Sequence, residues 1–379
     1  AGPGAISGRL ESAVVEVDDA LVARLGSVCS EVRTDDAVVA DTSRDWWPLA
    51  MTWALDGQVA QLGAVVARPA SDPEVSDVVR ACNDAGVPVT VAAGRSGVCG
   101  GSVPLHGGVI IDLTGLAGLR EVDAESLVVD VAAGTFGNDL EGALRVGHGC
   151  TLGHWPQSSD LSTVGGWLAC RSAGQYSTRY GKIEDMVVGL DVVLADGTMV
   201  HTGGHPRQAA GPDLTQLFVG SEGTLGVITG ARLRVHRTPT GEDRRAYWFD
   251  EFAAGMDACR RILQRGATPA VLRLYDAVET KRNFGQESSG AGEHLLLVLD
   301  EADPAIVAAT MAIVDEECVD SQVRAGSSGP ATPGDPGLVA QWLEHRNDVS
   351  TLEGLIRAGL VVDTMEVSGP WSALDAVYE

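Results

Sequence analysis

Apolar positions along the chain fall into short runs at strand spacing, separated by stretches with the spacing of an amphipathic helix. Residues 64–67, 87–92, 109–113 and 127–132 predict strands. Between the first two, Ser71-Asp72-Pro73-Glu74 sets a capping serine, an early proline and a glutamate three residues on. That capping box predicts a helix to about Ala85. Residues 138–146 and 212–219 read as helices. Residues 186–194 and 199–201 form the arms of a hairpin turning on Asp196-Gly197, and 231–237 alternate as a strand. Beyond Pro239 the expected order is strand 246–249, helix 251–265, strands 270–274 and 294–299, then helix 304–317. Two such units would make an antiparallel sheet with helices on one side. The first 60 residues are least decisive: 13–25 predicts one helix, and Arg44-Asp45-Trp46-Trp47-Pro48 sets two packing tryptophans before a turn. Residues 327–337, rich in Pro and Gly, read as loop or disordered. The fold class is α+β.

Composition narrows the partners. At 379 residues the natural division is into more than one domain, and 45% hydrophobic with 21% charged residues is a globular balance. A net charge of −25 argues against nucleic acid or an acidic membrane surface. It does not forbid an anionic cofactor, because charges beyond about 8 Å are screened while adjacent backbone amides are not. Seven scattered cysteines without a C-x-x-C pair suggest reduced thiols in a cytoplasmic protein. No apolar run reaches membrane-spanning length, no signal peptide is expected at the start, and no metal-ligand spacing such as H-E-x-x-H occurs.

Three loops rich in glycine and hydroxyl residues carry the chemistry. The first runs from Gly94 to Ser102, between two strands, and its glycines let successive N–H groups aim at a pyrophosphate. A plain Gly-rich turn is the alternative. G-x-G-x-x-G is absent and no helix follows, which speaks against a nicotinamide Rossmann site. In the second, residues 157–167, Ser162 or Thr163 caps a helix whose first turn holds Gly165 and Gly166. Such a start offers unpaired N–H groups and a positive dipole end to an anion; an ordinary capped helix packed through its glycines is the alternative. Gly181-Lys182-Ile183 is no Walker A motif. The third loop runs from Gly220 to Ile228. Each is weak alone; their order together is specific.

With Gly153-His154, Ser162 to Trp167, Tyr180 to Asp185, Glu222 to Ile228 and Thr364 to Trp371, these loops resemble the vanillyl-alcohol oxidase/p-cresol methylhydroxylase flavoprotein family. The branch most resembled is alkyl-dihydroxyacetonephosphate synthase, then FAD-linked glycolate and D-lactate dehydrogenases. The resemblance implies an FAD-binding domain of two α+β subdomains and an α+β cap domain covering the flavin, here truncated. The boundaries expected are 1–60 for an N-terminal helical segment, 61–238 for the FAD domain and 239–379 for the cap. Carried over, Ala93, Gly94, Arg95, Ser96, Gly97, Gly100 and Gly101 would hold the pyrophosphate. Gln157, Ser158, Asp160, Ser162, Thr163, Gly165 and Gly166, then Cys170, Arg171, Ser172 and Ala173, would line the path to the flavin. Glu222, Gly223, Thr224, Gly226 and Ile228 would complete the site. Some relatives tether FAD through a histidine in the first loop; Arg95 and Ser96 stand there, so FAD is expected to be non-covalent.

For chemistry, Arg346 after Trp342 is a candidate for holding an acidic substrate, with Arg273 second and His154 as a group near the flavin. A surface salt bridge for either arginine, and a structural hydrogen bond for His154, are the alternatives. The partners expected are a small anionic substrate and a second copy in a homodimer; nucleic acid is not expected. The family's remaining catalytic groups, a tyrosine and a histidine-rich motif, follow the Ser-Gly-Pro-Trp segment. The sequence ends at Glu379 and holds no His-His pair, so this chain is expected to bind FAD and turn over poorly. Two functions stand: an FAD enzyme, oxidising a 2-hydroxy acid or running the synthase's redox-neutral transferase exchange, and a flavin-binding component without its own catalysis. Gly166→Asp is expected to abolish FAD binding, and Gly290→Asp, in a cap loop, is not.

Overall fold

The residues of the capping box act as their chemistry dictates. Ser71 Oγ accepts from the Glu74 N–H at 3.4 Å, Pro73 sits in the first turn, and the helix Asp72–Ala85 stops on left-handed Gly86 (φ 66°). Its buried face repeats at Val75, Val78, Val79 and Cys82, the spacing of one helical stripe. The computed structural model describes residues 9–10, 12–205, 208–285, 293–326 and 331–378. Gly290 and the loop around it lie outside the described residues.

The chain divides into two units. The first comprises residues 1–173, 182–237 and 349–363, and the second 174–181, 238–348 and 364–379. They do not follow linear boundaries: the N-terminal 60 residues belong with the first unit, while an eight-residue insertion from it, 174–181, belongs with the second.

The first unit holds two principal sheets. One has the order Glu31–Arg33, Val65–Arg68, Val109–Asp112, Val89–Ala92; its first pair is antiparallel and the others parallel. Val109–Asp112 is buried along its whole length, as a central parallel strand requires. The other is an antiparallel sheet of five strands, ordered Leu119–Asp123, Val128–Ala132, Val227–Arg234, Val187–Val193, Met199–Gly203. The strand expected at 231–237 begins at Val227, so the end of the third loop is itself in the ladder, Val227 opposite Val193.

Other expectations are corrected. The helix placed at 13–25 is Asp19–Val28, because Asp18 accepts from the Leu21 N–H at 2.8 Å and sets the start there. Pro48 does not follow a turn but opens the helix Pro48–Leu55, where its missing N–H is harmless. Of the 327–337 loop, residues 327–330 lie outside the described residues, but Thr332–Gly334 is an edge strand, Ala246 opposite Gly334. The strands Glu31–Arg33, Leu119–Asp123 and Cys150–Thr151 were not anticipated, being short or half-exposed.

The second unit is one antiparallel sheet, Val271–Tyr275, His294–Ala302, Gly241–Phe249, Thr332–Gly334, with two long helices against it. Phe252–Gln264 and Pro304–Arg324 bury Ile262, Met311 and Val314 over Phe249, Leu296 and Val298. The segment 174–181 is tied into this unit by charge. Arg179 donates to both oxygens of fully buried Asp300, at 2.9 and 2.8 Å, and the Tyr180 hydroxyl donates to Glu301 at 2.7 Å.

Candidate functional site

The first loop hangs between the parallel strands Val89–Ala92 and Val109–Asp112. Gly94 packs so closely on the second loop that a Cβ there would meet the Leu161 carbonyl oxygen at 2.1 Å. Arg95 holds a left-handed conformation (φ 55°). No N–H from residue 94 to 99 donates to a partner among the described residues. These N–H groups form a stretch of donors available to a ligand. The loop is held from behind by the segment ahead of Pro48. Arg95 ion-pairs with Asp41 at 3.0 Å, the Trp46 N–H donates to the Gly97 carbonyl at 2.9 Å, and the Trp47 ring lies against Gly100.

The second loop is built the other way. The helix Val164–Cys170 is capped by Thr163, whose hydroxyl accepts from Gly166 N–H at 3.4 Å. Val164 N–H donates to Thr135 O at 3.0 Å, Gly165 N–H to Ala133 O at 2.7 Å, and Trp167 N–H to Thr163 O at 2.9 Å. The unpaired N–H groups expected at this helix start are therefore absent: the chain itself takes them. Gly165 makes the docking possible, since a Cβ would sit 2.8 Å from that of Ala133. Gly166, by contrast, has only Thr163 Oγ1 nearby, at 3.4 Å. Ser162 does not cap; its hydroxyl donates to Ser158 O at 2.8 Å and accepts from Trp167 Nε1 at 2.7 Å.

The three loops together enclose a cavity of about 390 Å³ within the first unit. Residues 91–99, 101 and 102 line it from the first loop, 158, 162, 163, 165–167, 169, 170 and 172 from the second, and 222, 223 and 226–228 from the third, with Asp45 and Leu113. Of the residues named from sequence, Gly100, Gln157, Asp160, Arg171, Ala173 and Thr224 do not line it. Arg171 instead ends the helix in left-handed geometry (φ 53°) and pairs with Glu184 at 3.4 Å. Thr224 donates back to Ser221 O at 2.6 Å. Asp45 was missed; a carboxylate beside two tryptophans reads as packing, and nothing in its spacing marks it otherwise.

Two further groups fix the chemistry. Cys170 is exposed at the cavity, yet desolvation by the surrounding walls pushes its thiol up to about 11, with Glu222, Cys99 and Asp45 acting the same way. His154 is buried behind the cavity, edge-on to Trp167 at 4.8 Å, with Nε2 3.1 Å from the hydroxyl of cavity-lining Ser172. Burial brings it down to about 4, against the opposing charge of Glu184, so it is a neutral imidazole that does not itself line the cavity.

The arginine candidates belong to the second unit. Half-buried Arg346 lies over the Tyr176 ring at 5.2 Å and the Trp342 ring at 5.6 Å, and donates to Gln175 Oε1 at 2.9 Å. Burial lowers its pKa, with Tyr176 and Glu301 acting the other way. Exposed Arg273 stands 5.8 Å from the same Trp342 ring and 5.2 Å from Tyr275. Trp342 thus carries a guanidinium near its ring from each of two elements. Among the described residues no helix is long and apolar enough to cross a membrane, and no cluster could hold a metal ion.

An anion-ready loop, a bare helix turn and hydroxyls converging on one cavity fit an extended, polar, phosphate-bearing cofactor. Comparison with known proteins agrees. Residues 63–203 match the FAD binding domain family, and 245–379 match the C-terminal domain of FAD linked oxidases. The FAD-linked oxidoreductase YgcU of Escherichia coli O157:H7, itself described as uncharacterized, is 34% identical over 325 residues, covering 83% of this chain and 65% of its own length. Alkyldihydroxyacetonephosphate synthase of Dictyostelium discoideum is 34% identical over 236 residues, 62% of this chain and 38% of its own. Glycolate oxidase subunit GlcD of Bacillus subtilis (strain 168) is 33% identical over 214 residues, 56% of this chain and 45% of its own. A solved alkyldihydroxyacetonephosphate synthase superposes with a TM-score of 0.76 at 24% identity, covering 92% of this chain and 66% of that one. A p-cresol methylhydroxylase structure does so at 0.66 and 16%, covering 89% and 68%. The chain therefore spans about two thirds, or less, of the length of these relatives. It belongs to the FAD-linked oxidoreductase family, shares its fold with the p-cresol methylhydroxylase structure, and its cofactor is FAD.

Proposed function

We propose that FAD occupies the three-loop cavity without a covalent bond, and that the protein acts on a small phosphorylated or carboxylated hydroxy or keto substrate. The observation that carries the cofactor placement is the run of N–H groups from residue 94 to 99, at the cavity wall, that have no partner among the described residues. Charge-assisted bonds of about 1.5–3 kcal/mol each from such donors hold a pyrophosphate without any lysine. Bound FAD supplies an acceptor of hydride or an electron pair at its N5. The protein's own part is to bind and orient: the first loop fixes the phosphates, while Thr163 and Ser172 offer hydroxyls along the cavity. Arg346, held between aromatic rings and a neutral amide, is the residue we assign to the substrate's anion, with Arg273 on the same tryptophan in support. Relatives named for glycolate and lactate, both 2-hydroxycarboxylates, and for dihydroxyacetone phosphate, a phosphate ester, have only an anionic group in common across all three names, which favours the charge as the recognised feature.

The test is anaerobic mixing of the FAD-loaded protein with glycolate, D-lactate and an acyl-dihydroxyacetone phosphate, following the flavin band and the products. Bleaching by a 2-hydroxy acid selects the dehydrogenase reading, and exchange of acyl for alkyl without net reduction selects the synthase-like one. Arg346→Gln should raise the KM for the active anion by about 10- to 100-fold, the loss of one charged hydrogen bond. No response to any of the three would favour the flavin-binding component without its own catalysis. Acid precipitation should leave FAD in the supernatant.

A further inference from the structure

Asp45 precedes the matched FAD binding domain, which begins at residue 63, yet it lines the cavity and is only 2% exposed. One carboxylate oxygen, Oδ1, accepts from the Trp47 N–H at 3.0 Å. The other, Oδ2, is buried with no hydrogen-bond partner among the described residues. It points at the first loop, since a Cβ on Gly97 would lie 3.9 Å from it. Buried polar atoms are nearly always paired, and a carboxylate oxygen left unpaired is among the least tolerable. The two nearby cations do not answer it. Arg44 pairs with Asp41 at 2.8 Å and Arg95 pairs with Asp41 at 3.0 Å, leaving Asp45 without an ion pair among the described residues. Burial raises its pKa; the backbone N–H groups of Trp47, Ser102 and Gly100 act the other way, but of these only Trp47 makes a hydrogen bond of good geometry, and it goes to Oδ1. A phosphate oxygen opposite this carboxylate would be repelled, so its natural partner is a donor.

We propose that Asp45 is a cofactor-binding residue, whose Oδ2 accepts a hydrogen bond from a hydroxyl or amino group of FAD. The assignment rests on FAD occupying the three-loop cavity. It makes the segment ahead of the FAD binding domain part of the cofactor site, both as the wall behind the loop and as a direct acceptor.

Titration of the apoprotein with FAD, read by quenching of flavin fluorescence, tests it alongside thermal unfolding of the same apoprotein. Asp45→Asn keeps an oxygen for the Trp47 N–H but turns the free acceptor into an NH₂ donor. It should weaken FAD by about 10- to 100-fold while the apoprotein melts no lower than wild type, because a buried charge is gone. Asp45→Ala should weaken FAD to a similar extent and serves if the asparagine variant folds poorly. A defect reproduced with only FMN or only ADP supports the proposal and names the half carrying the donor. Affinity for FAD within twofold of wild type in folded Asp45→Asn overturns it, as does a loss of stability with no loss of affinity. Gly166→Asp separates this from the cavity assignment: if that variant binds FAD normally, the cavity is wrong, whereas if it alone loses FAD, only Asp45 is.

Discussion

The first loop and the start of the helix Val164–Cys170 have nearly the same composition, glycines beside serine or threonine, and use it in opposite ways. Between residues 94 and 99 the N–H groups have no partner among the described residues, while at the helix start each of the first four is taken by Thr135, Ala133 or Thr163. The difference lies in what each segment leans on. The loop hangs between parallel strands and is propped from behind, at Asp41, Trp46 and Trp47, by contacts that leave its donors alone. The helix start docks edge-on against residues 133–136, with Phe136 bridged to Thr163, and that docking consumes the donors. Composition reports that a backbone can approach something; only the fold says whether that something is a ligand or the chain itself.

The largest test of this contrast is Gly94→Ala. Its Cβ would collide with a backbone carbonyl at 2.1 Å, which no rotamer change relieves. Overpacking of this kind costs about 3 kcal/mol. Urea unfolding should show that loss, and FAD binding should fail with it. A variant as stable as wild type would mean the loop and the second segment can part freely. Next comes Gly166→Asp, on the helix side. Its Cβ has room, so the fold should hold by circular dichroism, but a carboxylate would face the cavity. Affinity for FAD should fall by about 100-fold through clash and like charge, equivalent to roughly 2.7 kcal/mol. Unchanged affinity would mean that FAD does not occupy the cavity this helix start lines.

Much of the fold was legible because local chemistry and tertiary demand agreed. The Ser71 capping box, the Asp196-Gly197 hairpin and the alternating strand expected at 231–237 all carry their own signals. What failed did so for identifiable reasons. Asp18 caps the first helix several residues after its apolar pattern begins, and Pro48 starts a helix where a turn was expected. The loop residues at the candidate site were legible as glycines, but the state of their N–H groups was not, since it depends on residues 133–135, distant in sequence. Asp45 was invisible for the same cause: only the folded chain brings it beside Gly97.

The smallest effect sharpens the helix side of the comparison through His154. Burial against Trp167 holds the His154 pKa near 4, below the ordinary 6.5. A histidine depressed in the folded state is neutral there while the unfolded chain takes up a proton. Stability is therefore undiminished above pH 6.5, falls as pH drops from there toward 4, and levels off below. Between pH 7 and pH 5 this one group should account for roughly 2 kcal/mol. Other groups titrate in the same range, so the quantity to measure is a difference. Unfolding free energies of the apoprotein and of His154→Gln, which keeps a polar contact for Ser172, are compared at pH 7, 6 and 5. The wild type should lose that much more than the variant. Parallel pH profiles would mean that His154 is protonated within the fold, and hence that water reaches it behind Trp167.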